Sequence, residues 1–396
     1  MNIRASSKII ASCTLLLLAA ACDLQFIAGP EIVKNGEQVQ YQILIAAGEP
    51  KSNATVYLTG DVPIGWALGT AQFQASIAGG TTGDFKVHPT DPGVITDLPP
   101  VPAGHRRIYL STGPYPAITG DDRGTALLSF TANGAQGAYT MTFWAGFSAP
   151  GNETDQGDPR SLALSVLPPT ASNPILADGF DFGNPTGWTA WSEVDPDAVA
   201  YLRFNGTTAD ASAFDNDGIA LGDPVFGADR FGVPGAALLF DGVDDQVIVP
   251  DAPSLDLTDQ LTLAAWVKPD PTGNRYVVGK INLSGLGFLY SLDYQNSTVS
   301  GRFRDGSGTA GQISGYLPVQ ADQWQLMVFT WDGTDMLCYI DGVLEGHQER
   351  TGTTIGTGDG DVEIGSYEDA RFRGAMDDVL IMNRALSYRE VIWLLP

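Results

Sequence analysis

The sequence predicts an all-β protein made of two β-sandwich domains, and three observations support this fold class. The chain has 396 residues, more than one hydrophobic core normally serves. It contains 47 glycines and 25 prolines but only 17% charged residues, which favours many short strands joined by turns over long surface helices. Apolar residues make up 43% of the chain, which is enough to fill two cores.

The chain is strongly acidic. It has 46 Asp and Glu residues against 21 Lys and Arg residues, a formal net charge of −25 at pH 7. A surface this anionic repels phosphate backbones, so no nucleic-acid partner is expected. The surplus of carboxylates is compatible with high solubility and with ligation of a hard cation such as calcium.

The first 21 residues have the pattern of an export signal. Arg4 and Lys8 precede an apolar run from Ile9 to Ala21. This run is too short to cross about 30 Å of hydrocarbon, and no later stretch is long and apolar enough to do so. Removal of the predicted signal peptide changes the net charge from −25 to −27, because Arg4 and Lys8 are its charged residues.

Cys22 directly follows this signal and resembles the lipid-bearing cysteine of bacterial lipoproteins. Bacterial lipoproteins usually have a leucine three positions before that cysteine, whereas this sequence has Ala19. We therefore expect an exported protein that is anchored to the outer or cell-surface membrane by lipid at Cys22, with plain secretion as the alternative. Cys338 lies in an apolar strand, where a small buried hydrophobe is expected. Neither a disulfide framework nor a zinc cluster can be built from these cysteines.

The first domain is predicted over residues 36–167 as an immunoglobulin-like sandwich in the broad sense. Short strands with alternating apolar and polar residues are separated by Gly, Pro and Asp clusters. The best of them are Gln38 to Ala46, Thr55 to Leu58, Arg107 to Leu110, Ala126 to Thr131, Tyr139 to Ala145 and Leu162 to Val166. Residues 22–35 are expected to be an N-terminal tether, and the Pro-rich stretch 168–197 is expected to be a linker.

Residues 198–396 carry a series of motifs in a characteristic order. They include Gly235 to Val247, Leu261 to Pro269, Trp324 to Gly333, Leu337 to Gly342 and Phe372 to Ser387. Taken together, these motifs resemble the laminin G-like (LamG-like) jelly-roll domain of the concanavalin A-like lectin/glucanase superfamily. The resemblance implies a jelly-roll sandwich that binds a glycan or an extracellular protein.

Local patterns support this fold independently. Alternation in one strand separates two faces, with Leu261, Leu263 and Ala265 on one and Thr262, Ala264 and Trp266 on the other. Asp332-Gly333 and Asp341-Gly342 lie between apolar runs and predict tight hairpins, because glycine accepts positive φ. Ser387 and Glu390 form a capping box that predicts one short C-terminal helix.

The resemblance also implies a structural calcium ion near the rim of the sandwich. The candidate ligands are Asp210, Asp215, Asp241 and Asp378. Hard, flexible calcium coordination suits Asp-rich loops. The alternative is that these residues form turns, with carboxylates that accept local backbone hydrogen bonds.

Catalysis and aromatic stacking are weaker hypotheses. Glycosidases of the superfamily carry alternate carboxylates on one strand, and the nearest pattern here is Asp359-Gly-Asp361-Val-Glu363, for which a solvated strand face is the expected role. No nucleophile elbow, phosphate loop or dinucleotide fingerprint is present. An enzyme is therefore not expected, and no catalytic residue is assigned. Six aromatic residues are candidates for sugar stacking, with core packing the expected role: Trp266, Trp324, Trp331, Tyr290, Phe288 and Phe303.

The sequence thus predicts an exported cell-surface protein that recognises a glycan or an extracellular protein, with calcium as a structural cofactor. Contact with the membrane is expected only through the lipid at Cys22. A glycoside hydrolase and a structural surface-assembly component without a small ligand are the alternatives.

Overall fold

The computed structural model contains two all-β domains. It describes residues 22–47, 50–76, 81–93, 95, 98–118, 122–148, 155–156, 158–168, 195–270, 275–282, 287–295, 297–368 and 370–395. The predicted signal peptide and most of the predicted linker, residues 169–194, lie outside the described residues.

The first domain is a sandwich of two sheets. Its strands are β1 (Cys22–Ala28), β2 (Ile32–Lys34), β3 (Gln38–Ala47), β4 (Lys51–Pro63), β5 (Ala67–Ala75), β6 (Thr81–Asp84), β7 (Lys86–His88), β8 (His105–Ser111), β9 (Tyr115–Ile118), β10 (Arg123–Thr131), β11 (Gly137–Ser148), β12 (Asp155–Gln156) and β13 (Arg160–Leu167). One sheet has the order β1-β3-β10-β5-β6. The other has the order β2-β13-β11-β4-β8-β7, with β12 beside β11 and β9 beside β4. The strands predicted from alternation are present, because their apolar residues fill one core between the two sheets.

Residues 22–35 are part of this domain, contrary to the expected tether. β1 pairs with β3, with Cys22 opposite Ala47, and β2 pairs in parallel with β13. Leu24 and Val33 are fully buried in the core between the sheets. The segment forms strands because its apolar residues contribute to that core.

The second domain is a jelly-roll sandwich. Its strands are β14 (Ala198–Leu202), β15 (Ile219–Leu221), β16 (Val225–Gly227), β17 (Ala237–Asp241), β18 (Gln246–Val249), β19 (Leu261–Pro269), β20 (Arg275–Asn282), β21 (Gly287–Gln295), β22 (Thr298–Arg304), β23 (Ala310–Pro318), β24 (Gln325–Trp331), β25 (Asp335–Ile340), β26 (Val343–Glu349), β27 (Val362–Ile364), β28 (Ser366–Tyr367), β29 (Ala370–Arg371) and β30 (Arg373–Met382). Sheet I has the order β16-β17-β30-β19-β24-β25-β26, with β14 beside β30, and sheet II has the order β15-β18-β27-β20-β21-β22-β23. A short hairpin, β28–β29, follows β27. The chain continues into helix α1 (Tyr388–Trp393).

Both faces of sheet I are buried at β19. Leu261, Leu263 and Ala265 of β19 pack into the core between the sheets, as alternation predicts. Ala264 and Trp266 pack on the opposite face, in a cluster that contains residues of α1 and of the first domain. The two-faced burial explains why β19 is apolar at nearly every position.

The predicted hairpins join β24 to β25 and β25 to β26, and the predicted helix cap is present. Asp341 and Gly342 both have positive φ, 50° and 73°, as a two-residue type I′ hairpin requires. Ser387 accepts a hydrogen bond from the Glu390 backbone N–H, and the Glu390 carboxylate accepts one from the Ser387 backbone. Cys338 is fully buried in the core, which raises the pKa of its thiol well above the ordinary value.

The two domains share a specific interface. The Gln42 side chain of β3 donates to the Gly342 carbonyl at 2.7 Å and accepts from the Leu344 N–H at 2.6 Å. Thr125 of β10 donates to the Leu344 carbonyl at 2.7 Å and lies 2.8 Å from the Tyr316 hydroxyl. These buried polar contacts orient one domain on the other.

Apolar and charged contacts extend the same interface. Leu44 and Ala28 of the first domain join the cluster that covers the outer face of sheet I. Glu37 forms an ion pair with Arg389 of α1 at 2.9 Å. The first domain therefore covers part of the outer face of sheet I.

Candidate functional site

An acidic turn joins β17 to β18 at one edge of the second domain. One carboxylate oxygen from each of Asp241, Asp244 and Asp245 lies within 4.8 Å of the others. The turn is held by the Asp241 N–H, which donates to Asp245 Oδ2 at 2.8 Å, and by the Val243 N–H, which donates to Asp241 Oδ1 at 2.7 Å. Gly242 adopts φ 78°, which a β-carbon would disfavour. We refer to Asp241, Asp244 and Asp245 as the acidic turn.

The electrostatics of the acidic turn favour a bound cation. Asp245 is buried, and no hydrogen-bond partner reaches its Oδ1 among the described residues. Burial raises the pKa of Asp245, and the charges of Asp241, Asp244 and Asp223 raise it further, while the Asp241 N–H opposes them. The pKa of Asp241 is lowered, chiefly by the Val243 N–H. A hard cation prefers such oxygen ligands, so the residues present fit calcium.

The other predicted calcium ligands lie elsewhere. The Asp210 carboxylate accepts three hydrogen bonds from backbone N–H groups. Oδ1 accepts from Tyr201 and Ser212, and Oδ2 accepts from Asn216. Asp215 is exposed and has a positive φ of 54°. Of the four predicted ligands, Asp241 alone is in the three-carboxylate group found in the described part of the chain. Asp244 and Asp245 were not predicted, although they follow Asp241-Gly242 in the same short turn.

Asp378, the fourth predicted ligand, belongs to a buried charge cluster on sheet I. Arg230 lies 2.6 Å from Asp377 and 2.9 Å from Asp378, and the Tyr201 hydroxyl also donates to Asp378. Burial raises the pKa of Asp377 to about 8, helped by the charge of Asp378 and opposed by Arg230. The Arg230 guanidinium also lies over the Trp266 ring, 4.8 Å from its centroid. The Asp378 carboxylate is therefore bound by donors inside the domain, Arg230 and Tyr201.

A group of aromatic and arginine side chains lies on the outer face of sheet II. Phe288 lies under two guanidinium groups, with Arg302 at 4.3 Å and Arg304 at 5.0 Å from its ring centroid. The partly exposed Tyr367 ring of the β28–β29 hairpin stacks on Tyr276, with centroids 5.0 Å apart. Tyr367 also meets Phe288 edge to face at 6.5 Å. We refer to these five residues as the aromatic–arginine cluster.

Polar groups surround this cluster. Arg302 forms an ion pair with Asp293, a buried residue that lies opposite Tyr276 in the sheet. The Tyr276 hydroxyl is buried and has no hydrogen-bond partner among the described residues. Glu363 of β27 points to the same face beside Gly279, and burial raises its pKa while Arg371 opposes the shift. The face thus combines aromatic rings with hydrogen-bond donors and acceptors.

The candidate catalytic carboxylates do not share a strand. β27 begins at Val362, so Asp359 and Asp361 precede it and Glu363 lies within it. Asp361 accepts a hydrogen bond from the Asp251 N–H at 2.9 Å, and Asp359 is exposed. Alternation along one strand therefore does not bring the three carboxylates onto one face.

The aromatic residues considered for stacking are mostly packed inside the domain. Trp331, Phe303 and Tyr290 lie in the core between the two sheets. Trp266 lies in the cluster on the outer face of sheet I, and Trp324 packs against that cluster. Phe288 alone of the six belongs to the aromatic–arginine cluster, and Tyr367 was not predicted.

A cleft of about 550 Å³ lies between the domains. Phe26 and Ala28 of the first domain line one side, and Leu337 and Tyr339 of the second domain line the other. Its rim includes Asp335, which is bound to His347 at 2.6 Å. Within the described residues, no helix combines the length and the apolar character needed to cross a membrane.

Comparison with known proteins agrees with the predicted fold of the second domain. Residues 241–392 match the family model Laminin_G_3, of the concanavalin A-like lectin/glucanases superfamily. Over these residues the second domain is therefore similar to the LamG-like jelly-roll domains of that superfamily. No curated protein matches the chain.

Several solved structures are similar to half of the chain. One is domain 4 of an extracellular GH43 arabinanase from Geobacillus stearothermophilus in complex with arabinotriose, with 19% identity, 50% of this chain and 98% of that chain covered, and a TM-score of 0.41. Another is the binding domain of Paraclostridial Mosquitocidal Protein 1, with 13% identity, 50% and 51% coverage, and a TM-score of 0.41. A third is the ligand binding domain of Botulinum neurotoxin serotype D with N-acetylneuraminic acid, with 13% identity, 50% coverage of each chain, and a TM-score of 0.40. The chain spans about half the length of these two toxin domains.

Proposed function

We propose that the second domain is a binding domain for a glycan, which it recognises on the outer face of sheet II. The observation that carries this proposal is the partly exposed Tyr367 ring at the surface of the aromatic–arginine cluster. Aromatic faces bind the apolar faces of sugar rings, while guanidinium and carboxylate groups hydrogen-bond to sugar hydroxyls. Arg302, Arg304 and Glu363 supply these groups around the ring.

Calcium is proposed as a structural ion at the acidic turn. Three carboxylates from one short turn would supply part of its oxygen shell, and the unpartnered Asp245 Oδ1 gives the strongest reason to place it there. The turn is connected to the glycan-binding face, because Gln246 follows it directly and accepts from Arg371 at 3.3 Å. A cation would therefore order the edge of the face on which the glycan lies.

Export and lipid attachment at Cys22 are proposed from the sequence pattern at the N-terminus. Because β1 begins at Cys22, the lipid would join the folded body without an intervening tether. Metabolic labelling with a lipid precursor tests this arrangement. We expect incorporation into the wild type and none into Cys22→Ser, and labelling of both proteins alike would contradict it.

A glycan array with the purified protein tests the main proposal. We expect binding to a defined set of glycans, and a reduction in affinity of about fivefold in Tyr367→Ala, since stacking on one ring contributes about 1 kcal/mol. Tyr109→Ala is the matched control, because Tyr109 lies in β8 of the first domain. Equal binding by the wild type and Tyr367→Ala would contradict the assigned face.

Calcium dependence is measured separately by thermal unfolding. We expect calcium to raise the melting temperature of the wild type and to have no effect on Asp245→Asn, because a ligand bound only by the folded state stabilises it. Glu349→Gln removes one exposed carboxylate outside the turn and should respond like the wild type. Hydrolysis of a bound glycan that Glu363→Gln abolishes would instead support a glycoside hydrolase.

A further inference from the structure

Exposed apolar side chains are concentrated in one part of the second domain. Of the eleven large hydrophobic residues that are exposed in the described part of the chain, eight lie between Phe214 and Val243. The most exposed are Val243 at 71%, Val225 at 63% and Phe231 at 62%. Scattered exposed hydrophobics are normal, whereas a concentration of them marks an interaction surface.

These residues lie along the edge strands on one side of the sandwich. β15 begins sheet II and pairs with β18, and β16 begins sheet I and pairs with β17, with no further partner strand among the described residues. Three residues, 222–224, connect β15 to β16, so the two edges lie next to each other. Val225 of β16 lies opposite Leu239 of β17, on the outer face of sheet I, whereas Ile219 and Leu221 lie on the outer face of sheet II. We define the apolar edge as Val225, Phe231, Leu239 and Val243.

The apolar edge is surrounded by negative charge. Residues 205–245 contain eight Asp, no Glu, no Lys and one Arg. That residue, Arg230, is bound to the buried carboxylates of Asp377 and Asp378 and so does not offset the surface charge. The acidic turn adjoins the edge, since Gly222 lies against the backbone of Asp244 and Asp245. Asp223 lies close enough to raise the pKa of Asp245.

We infer that the apolar edge is a docking surface for an extended polypeptide segment that alternates apolar and Lys or Arg side chains. Its apolar side chains would cover Val225 and Val243, and its cationic side chains would meet the exposed carboxylates of Asp241 and Asp244 in the acidic turn. The backbone of an extended segment would also pair with the open side of β16.

Charge complementarity selects this partner over two others. A second copy of the chain would bring the same acidic surface against itself, and the chain as a whole carries −25. An anionic membrane would be repelled for the same reason. The docking surface shares no residue with the aromatic–arginine cluster, so this inference does not depend on glycan binding. Calcium and the cationic segment would use the same carboxylates and should compete.

The experiment uses the purified full chain and a fluorescently labelled nine-residue peptide of alternating valine and lysine. Binding is followed by fluorescence anisotropy. We expect saturable binding, at least tenfold weaker binding of a valine–glutamate peptide, and at least tenfold weaker binding of a serine–lysine peptide. Millimolar calcium should weaken binding of the valine–lysine peptide. Equal binding of the serine–lysine peptide would overturn the inference, because the apolar edge would then contribute nothing.

Variants connect the binding to the surface. Val225→Ser combined with Val243→Ser should weaken peptide binding at least tenfold, and thermal unfolding checks that these exposed changes leave the fold intact. Val87→Ser is the matched control, because Val87 is 55% exposed in the first domain. Unchanged binding in the double variant would overturn the inference. So would concentration-dependent dimers, or calcium-dependent binding to phosphatidylserine vesicles, that the double variant abolishes.

Discussion

The Leu344 N–H donates to the Gln42 side-chain oxygen at 2.6 Å, and this contact joins the two domains. The nitrogen of the same amide donates to the Gly342 carbonyl, so one side chain satisfies two backbone groups of the β25–β26 turn. All of these contacts are buried. The turn is the one that Asp341-Gly342 predicts, and a local feature of the second domain is therefore the docking point for the first.

Gln42→Ala should destabilise the protein by about 1–3 kcal/mol. The substitution leaves the buried Leu344 N–H and Gly342 carbonyl without their partner, and unsatisfied buried polar groups carry the full cost of desolvation. Urea unfolding measures the change. Gln72→Ala is the control, because its amide binds Asp84 at an exposed site, and it should cost much less. Equal effects of the two substitutions would contradict the importance of the Gln42 contacts.

Glu345 should make stability depend on pH. Burial raises its pKa to about 7 in the folded protein, opposed by the Leu317 and Tyr316 N–H groups, whereas its unfolded value is 4.5. The folded state therefore holds more protons between pH 4.5 and 7, and the free energy of unfolding falls as the pH rises through this range. At pH 8, Glu345→Gln should be more stable than the wild type by about 2–3 kcal/mol.

The difference between Glu345→Gln and the wild type should disappear near pH 4.5. Urea unfolding at several pH values measures both proteins. Glu349→Gln removes an exposed carboxylate from the same strand and should keep the wild-type pH dependence. If Glu345→Gln kept the wild-type pH dependence of the free energy of unfolding, that dependence would arise from other groups.

Ser387→Ala should lower the free energy of unfolding by about 1 kcal/mol. The substitution removes the hydroxyl that accepts from the Glu390 N–H at the start of α1, leaving that donor without its cap. Ser387→Thr preserves a hydroxyl and should retain most of the stability. Thermal unfolding compares the three proteins, and a threonine variant as unstable as the alanine variant would argue against the cap.

Gly301→Ala should destabilise the core of the second domain by about 1–3 kcal/mol. A β-carbon at Gly301 would lie 2.2 Å from ring atoms of the buried Phe329, so one of the two sheets must shift. Gly306→Ala is the matched control, because no atom lies within 4 Å of its β-carbon position. Thermal unfolding should show a lower melting temperature for Gly301→Ala alone.

The features that sequence analysis predicted well depend on neighbouring residues. Alternation located β19 and assigned its two faces, Asp341-Gly342 located a hairpin, and Ser387 with Glu390 located α1. Each of these signals is complete within a few residues, because strand period, turn conformation and helix capping are local properties.

The candidate site was predicted only in part. Asp241 was identified as a candidate calcium ligand. Asp210 and Asp378 were candidates of the same residue type, but their carboxylates bind donors elsewhere in the domain. The partners of Asp378 are Tyr201 and Arg230, which lie far away in the chain. Whether a carboxylate binds a cation or an internal donor depends on groups that no local pattern identifies.

The sequence by itself determined the all-β class and the turns of the second domain, because alternation and turn chemistry act over short distances. The jelly roll was predicted from the resemblance of its ordered motifs to LamG-like domains. Tertiary structure alone decided that the first domain covers part of the outer face of sheet I, that Asp244 and Asp245 complete the acidic turn, and that Tyr367 lies over Tyr276. These relationships join residues or surfaces whose proximity arises only when the sheets pack, since burial and charge pairing depend on the whole fold.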